Sequence, residues 1–298
     1  MRSHLKFFPL LAVALAMPAA RAEAPAQRVA TLAPHLAELV CAVGGCARLV
    51  AVSRLSNYPA SVASLPQLGD AWSVNLEAVL AQRPDLVIAW TDGTPPDQVA
   101  RLQKLGLRVV WLQANTLDSI GAALGTVGGW LGTQTAAASA ANDYRQRLAG
   151  LRAQHRDEPA IRAVYQIETS PAYTISAASP ISEVMSLCGG VNVFAALPTI
   201  SAAIGQEAML AAAPDVVLYG REESAVAMRA YWARLGSAPV AKAGNLYAID
   251  PDLLGRASPR MLDGVVAVCA AFDQARSRLA EVRRRSPDQS PKLGAAAH

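Results

Sequence analysis

Short apolar runs alternate with amphipathic stretches along most of this chain, the pattern of strands alternating with helices. Arg28 to Ala33 reads as a short buried strand. Pro34 then opens a helix ending at Gly44-Gly45, glycines that tolerate the left-handed conformation of a helix exit. A second strand is expected over Leu49 to Ser53. The polar, irregular stretch from Arg54 to Val74 reads as a long loop, and loops of that length are usually functional. A helix from Asn75, broken by Pro84, leads into the strand Leu86 to Ala89, and Pro96 to Leu105 and Val109 to Leu112 give a further helix and strand. This alternation predicts α/β units on parallel-type sheets. From Gln134 to His155 the spacing changes. Ala137, Ala141, Tyr144, Leu148 and Leu151 recur at intervals of four and three, one face of a single long helix.

Half of the chain repeats the other half. Glu77 to Trp90 reads EAVLAQRPDLVIAW and Glu207 to Gly220 reads EAMLAAAPDVVLYG. Upstream of each lies a second matched piece, ELVCAVGG from Glu38 and EVMSLCGG from Glu183. Two local patterns recurring in one order, at a period far longer than a solenoid repeat, predict two similar lobes. The expected fold is therefore α/β, two similar α/β sandwich lobes joined by one long helix. The lobes are expected over residues 23–133 and 157–282, the connector over 134–156, and a disordered tail over 283–298. The second lobe runs from a strand at Ala160–Ile167 to a final helix beginning near Ser258. A cleft between lobes is where small ligands preferentially bind.

The ends and the cysteines place the chain outside the cytoplasm. Residues 1–22 read as a signal peptide: Arg2 and Lys6 are the positive region, Phe7 to Met17 the apolar core and Ala20-Arg21-Ala22 the cleavage site. That run is too short for a spanning helix, which needs roughly 20 apolar residues. Four cysteines in an oxidising compartment predict two disulfides, and sequence alone allows three pairings. Cys41 with Cys46 would staple a helix end to its own loop. Cys188 with Cys269 would close a loop contributing on the order of 4 kcal/mol. The net charge is only +4, and Arg283-Arg284-Arg285 lies in a stretch read as a solvated tail, so nucleic acid is not expected as a partner.

The segments TLAPHLAEL, NLEAVLAQRPDLVIAW, LQKLGLRVVWL and GRASPRM, together with the helical connector, resemble the helix-linked class of periplasmic substrate-binding proteins, and within it the cobalamin-binding members. The resemblance covers about Arg28 to Arg276. It implies a soluble, monomeric periplasmic receptor that holds a cobalamin or related corrinoid between its lobes and hands it to a membrane ABC importer. The same fold binding haem or a ferric siderophore is the alternative, and an orphan receptor that meets no transporter is a further one.

Ligand candidates follow. Trp72 lies in the long loop and Trp90 at the C-terminal end of a strand, outside which ligands of open α/β sheets collect. Aromatic walls suit a broad, flat, mostly apolar plate. For any one tryptophan core packing is the ordinary role, but both match aromatic pocket positions of the resembling proteins, as does Tyr173. Asp252 and Arg256 offer an acceptor and a donor at the cleft lip, or else form an ion pair shaping the loop. His35 is expected to line the cleft at a helix start, an axial contact to a metal being the other role open to an imidazole. Leu55, Ser201 and Leu253 stand where the resembling proteins carry aromatics, which loosens the fit on one side. Glu77 and Glu207 open equivalent helices, where a carboxylate also favours the helix dipole. The resemblance makes them the contacts to arginines of the transporter.

No enzyme, resident cofactor or bound metal is expected. The sequence has no G-x-S-x-G elbow, Gly-rich phosphate loop or H-E-x-x-H. Glu222-Glu223 reads as a solvated turn. Histidine is too scarce for a bare-metal receptor, and a hydrolase or transferase is the least favoured function.

Overall fold

The apolar strands of the first half assemble by their alternating faces. In the computed structural model, which describes residues 24–70, 72–220, 225–236 and 238–285, β1 (Val29–Thr31), β2 (Leu49–Ala51), β3 (Leu86–Trp90) and β4 (Val109–Leu112) form a parallel sheet in the order β2-β1-β3-β4. Val29, Leu86 and Ile88 face one core, with α1 (Pro34–Ala42) and α4 (Leu117–Leu131). Ala30, Val87 and Ala89 face another, with α2 (Leu76–Ala81) and α3 (Pro96–Lys104). Burial on both faces is what a parallel sheet requires.

The long helix α5 (Gln134–Gln154) follows, with its expected apolar face buried. The second lobe has six strands: β5 (Ile161–Thr169), β6 (Ala172–Ile175), β7 (Gly190–Asn192), β8 (Ser201–Ala203), β9 (Val216–Gly220) and β10 (Leu246–Ile249). Around them lie α6 (Pro180–Leu187), α7 (Gln206–Ala211), α8 (Ala225–Arg234), α9 (Pro239–Ala243), α10 (Pro251–Leu254) and α11 (Met261–Arg285). The sheet order is β10-β9-β5-β6-β8, with β7 alongside the first half of β5. Within the expected parallel-type sheet, β6 and β8 run antiparallel. Only Ser170 and Pro171 separate β5 from β6, and a parallel return needs a crossover of a dozen or more residues.

The repeat in sequence is a repeat in bonding. Asp85 accepts from the Arg28 amide (3.0 Å), while Arg28 Nε donates to the Arg83 carbonyl (3.0 Å). In the second lobe Asp215 accepts from the Arg162 amide (3.0 Å) and Arg162 Nε donates to the Ala213 carbonyl (3.3 Å). Arg83 and Ala213 both take positive φ, 46° and 41°, immediately before a proline. Each turn thus fixes a short helix to the strand that follows it.

Helix α4 has no counterpart in the expected elements, because Gly121, Gly125, Gly128 and Gly129 disguise it. Two of them, Gly121 and Gly128, face α5 at close approach. A Cβ on Gly128 would lie 2.1 Å from the Ala137 Cβ, so its absence lets α5 approach. The Tyr144 hydroxyl then donates to the Leu117 carbonyl (2.8 Å). Through this contact one core runs from the first lobe across α4 and α5 into α6 and α11, joining Val127, Leu148, Met185, Val268 and Phe272. The lobes share a core along their helical side, while each keeps a separate core on its other sheet face.

Both disulfides are present, Cys41–Cys46 and Cys188–Cys269. The final helix continues through Arg285, so residues 283–285 belong to it and not to the expected tail, whose remaining residues 286–298 lie outside the described ones; the exposed Arg283, Arg284 and Arg285 sit in the last turn of α11, where cations complement the helix dipole. The leader 1–22 and Glu222-Glu223 lie outside the described residues, among which no helix is long and apolar enough to cross a membrane.

Replacing Cys188 and Cys269 with Ala should lower unfolding free energy by about 4 kcal/mol, against about 2 kcal/mol for Cys41 and Cys46, because the closed loops differ in length. Urea titration of the two double variants checks the order.

Candidate ligand-binding cleft

The candidate residues lie at the ends of parallel strands, in the loops beside them and on the antiparallel strands β6 and β8. Trp90 ends β3 and is half-buried, with its amide donating to Thr94 Oγ1 (3.0 Å) and its carbonyl accepting from the Thr94 amide (2.9 Å). The indole lies over Gly93, where a Cβ would come within 2.1 Å of the ring. His35, in the first turn of α1, meets Trp90 edge-on, ring centroids 5.2 Å apart at 83°. Its Nε2 has no hydrogen-bond partner among the described residues. Burial, and secondarily the charge of Arg256, push its pKa down to about 4, so the imidazole is neutral at neutral pH.

Trp72 is held differently. Its amide donates to Asp70 Oδ1 (3.0 Å), its carbonyl accepts from Gln98 Nε2 (3.0 Å), and Arg54 pairs with Asp70 (2.8 Å). The backbone is fixed on both sides while the side chain is 73% exposed. An indole placed this way offers a face without further ordering cost. Tyr173 stands on β6 opposite Ala203, partly exposed, and no ring contact joins it to either tryptophan among the described residues. Ser201, on the neighbouring β8, is exposed.

Asp252 and Arg256 come together with partners the sequence did not announce. Arg256 is buried, and its guanidinium donates to Glu38 Oε1 (3.1 Å), Asn57 Oδ1 (2.7 Å) and the Leu55 carbonyl (2.9 Å) while pairing with Asp252 (2.6 Å). Asn57 Nδ2 also donates to Asp252 Oδ2 (2.9 Å). Glu38 further accepts from Ser258 Oγ (2.6 Å) and Arg260 Nη1 (3.3 Å). The loop-shaping ion pair is therefore formed within the second lobe, and the bonds from Arg256 to Glu38, Asn57 and Leu55 extend it across to the first. Leu55 is bent by it: φ is +67°, its side chain 68% exposed, and its carbonyl turned to Arg256. A left-handed leucine costs roughly 1 kcal/mol, so the arginine bond maintains an unfavourable backbone at the lip.

Glu38 was visible as the first residue of a repeated segment, but a lone carboxylate in a helix reads as a surface residue. Its repeat mate Glu183 accepts from the Leu117 amide (2.7 Å) and Arg152 (3.2 Å). Gly93 and Thr94 were likewise unmarked, the signal being a TDGT turn directly after a strand. Glu77 and Glu207 are both exposed in the first turns of α2 and α7; Asn75 caps α2 by accepting from the Ala78 amide (2.9 Å), whereas Gly205 precedes α7 without a side-chain cap.

Two α/β lobes, a helical connector and a core shared along their helical side define a bilobed receptor fold. The chain belongs to the periplasmic binding protein family, whose model matches residues 29–253. It is 36% identical over 247 residues, 82% of this chain and 88% of the relative, to the vitamin B12-binding protein of Vibrio cholerae. The crystal structure of the periplasmic vitamin B12 binding protein of Vibrio cholerae superposes with a TM-score of 0.78 at 34% identity, covering 85% of this chain and 98% of that one. A periplasmic heme binding protein from Pseudomonas aeruginosa superposes at 0.74 with 32% identity, covering 83% and 92%.

A histidine whose folded pKa lies below its unfolded value of 6.5 supports the fold above that pH and withdraws support as pH falls towards 4. His35 should account for about 3 kcal/mol of stability lost between pH 6.5 and 4. The His35→Phe variant, compared by urea unfolding at both values, should lose correspondingly less over that interval.

Proposed function

We propose that this chain captures cobalamin or a related corrinoid between its lobes and delivers it to an ABC importer, by binding and release without covalent chemistry or a resident cofactor. The observation that carries the reading is the pair of backbone-pinned tryptophans, Trp72 and Trp90, at the cleft of a chain 36% identical to a vitamin B12-binding protein. Trp72, Trp90 and Tyr173 would offer stacking faces to the macrocycle, with His35 beneath Trp90 and Leu55 at the lip. Asp252 and Arg256 would meet the amide periphery.

Charge balance favours a corrinoid over haem in this cleft. The positive Arg256 and Arg260 are matched by Glu38 and Asp252 within hydrogen-bond reach. The cluster has no surplus cation for a pair of carboxylates, but Asp252 retains acceptor capacity suited to amide N–H groups. Haem is the second reading, favoured by the heme-binding relative at 32% identity and by the neutral, unpartnered Nε2 of His35, a donor that iron takes readily.

Glu77 and Glu207 would dock the receptor on the importer, orienting it more than holding it. Residues 1–22 would direct export, leaving a soluble monomer in the periplasm.

Calorimetric titration with cyanocobalamin, cobinamide and haemin tests the cargo: saturable one-to-one binding of a corrinoid with weak haemin supports the reading, and tight haemin without corrinoid heat overturns it. Trp90→Ala should weaken corrinoid binding about tenfold, the scale of an aromatic contact of 0.5–1.5 kcal/mol. Glu77→Lys with Glu207→Lys should abolish uptake of labelled ligand by cells while leaving ligand affinity unchanged; wild-type uptake by that variant would remove the docking role.

A further inference from the structure

The repeated segments ELVCAVGG and EVMSLCGG place Glu38 and Glu183 at equivalent positions of α1 and α6. Each carboxylate leaves its own lobe. Glu38, in the first lobe, reaches Arg256, Ser258 and Arg260, which precede the last helix of the second. Glu183, in the second lobe, reaches the amide of Leu117 at the start of α4 in the first, and Arg152 on the connector. The starts of α4 and α11 correspond as well: LDS at Leu117 matches LDG at Leu262, with Asp118 bound by Arg152 (2.8 Å) and Asp263 by Arg147 (2.6 Å). The two contacts are thus one device built twice, related by the same pseudo-symmetry as the lobes.

The copies are unequal. The Glu38 side chain is 2% exposed and has three partners on the opposite lobe, joined by Arg260 stacked 4.0 Å over the ring of Tyr58. The Glu183 side chain is 32% exposed and shares Arg152 with Asp118. Open cavities of about 410 Å³ beside Glu38 and about 320 Å³ beside Glu183 leave room on either flank of the connector. Breaking a buried, multiply bonded carboxylate is far costlier than opening an exposed pair.

We infer that Glu38 is the interlobe positioning residue that sets the width of the ligand cleft, the fixed pivot between the lobes, and that its counterpart Glu183 is the contact that yields without setting that width. Glu38 lies one helical turn from His35, which touches Trp90, and its partner Arg256 holds the Leu55 carbonyl. Lobe spacing is therefore transmitted directly to the cleft. The consequence for ligand rests on the corrinoid reading above; the consequence for lobe spacing does not.

The test measures both. Spin labels on encoded ketone side chains at Ala81 and Ala211, matched exposed positions on α2 and α7, report interlobe distance in the ligand-free full mature chain. Glu38→Gln keeps the side-chain shape and should lengthen and broaden the distance distribution; Glu183→Gln should leave its width close to wild type. If the variant populates the binding width a tenth of the time, cyanocobalamin affinity falls about tenfold in Glu38→Gln. Glu183→Gln should stay within about twofold. Should Glu38→Gln fail to fold, Ser258→Ala with Arg260→Met leaves Glu38 only Arg256 and should shift the distance in the same direction. A wild-type distribution in whichever Glu38-side variant folds, or an equal shift in Glu183→Gln, overturns the assignment. Absence of cyanocobalamin binding by the wild type would overturn the corrinoid reading alone, leaving the distance result to decide the pivot.

Discussion

A carboxylate with almost no solvent contact needs hydrogen-bond donors, and every side-chain donor to Glu38 lies more than two hundred residues further along the chain. That requirement fixes the relation of the two lobes. Neither lobe alone satisfies the charge: the first supplies the acceptor, the second Arg256, Ser258 and Arg260. A buried ion pair adds little net stability over well-packed apolar residues, but leaving one partner unpaired is heavily penalised. Its effect is therefore specificity of arrangement. Lobes docked in any other register would strand Glu38, and Arg256 could no longer restrain the backbone of Leu55.

The same economy of motion governs the aromatic residues. Trp90 is stitched by Thr94 and laid across Gly93, and Trp72 is pinned through its amide and its carbonyl while its indole stays open. Rigid backbone under exposed rings is a costly surface to leave in water unless something flat covers it. The clamps of Arg28 on Asp85 and Arg162 on Asp215 extend that rigidity to the helices carrying Glu77 and Glu207. The proposed ligand face and the proposed docking face would thus be mounted on one stiff frame.

Much of this was legible in the residues. The doubled segments revealed two lobes because each builds the same turn, with an arginine, an aspartate and a positive-φ residue before proline. The apolar spacing of Ala137 through Leu151 located the connector because one face of it is buried. Other features were hidden for physical reasons. Four glycines weaken the helical signal of α4, whereas Gly121 and Gly128 allow close approach to α5, which depends on a neighbour that local pattern does not contain. The antiparallel edge was obscured by the alternation around it. The acceptors of Arg256 were hidden because they are remote in sequence: Glu38, Asn57 and Leu55 all belong to the other lobe.

The departures at Leu55, Ser201 and Leu253 give the fixed geometry its importance. With aromatic cover concentrated on the first lobe, at Trp72 and Trp90, and with Ser201, Ala202 and Ala203 on the edge strand of the second, a flat ligand draws most of its stacking from one side. Dispersion falls off within a fraction of an ångström of ideal contact. A wall of small side chains cannot reach out to make up a gap as a tryptophan would, so it contributes only if the backbone behind it is already at the right distance. The shared core through α4, α5 and α11, together with the Glu38 cluster, meets that condition by holding the second lobe in place before ligand arrives. With the wall at β8 built of small side chains, the width of the proposed cleft, and hence the interlobe bonding, would be the quantity on which stacking against a flat ligand depends.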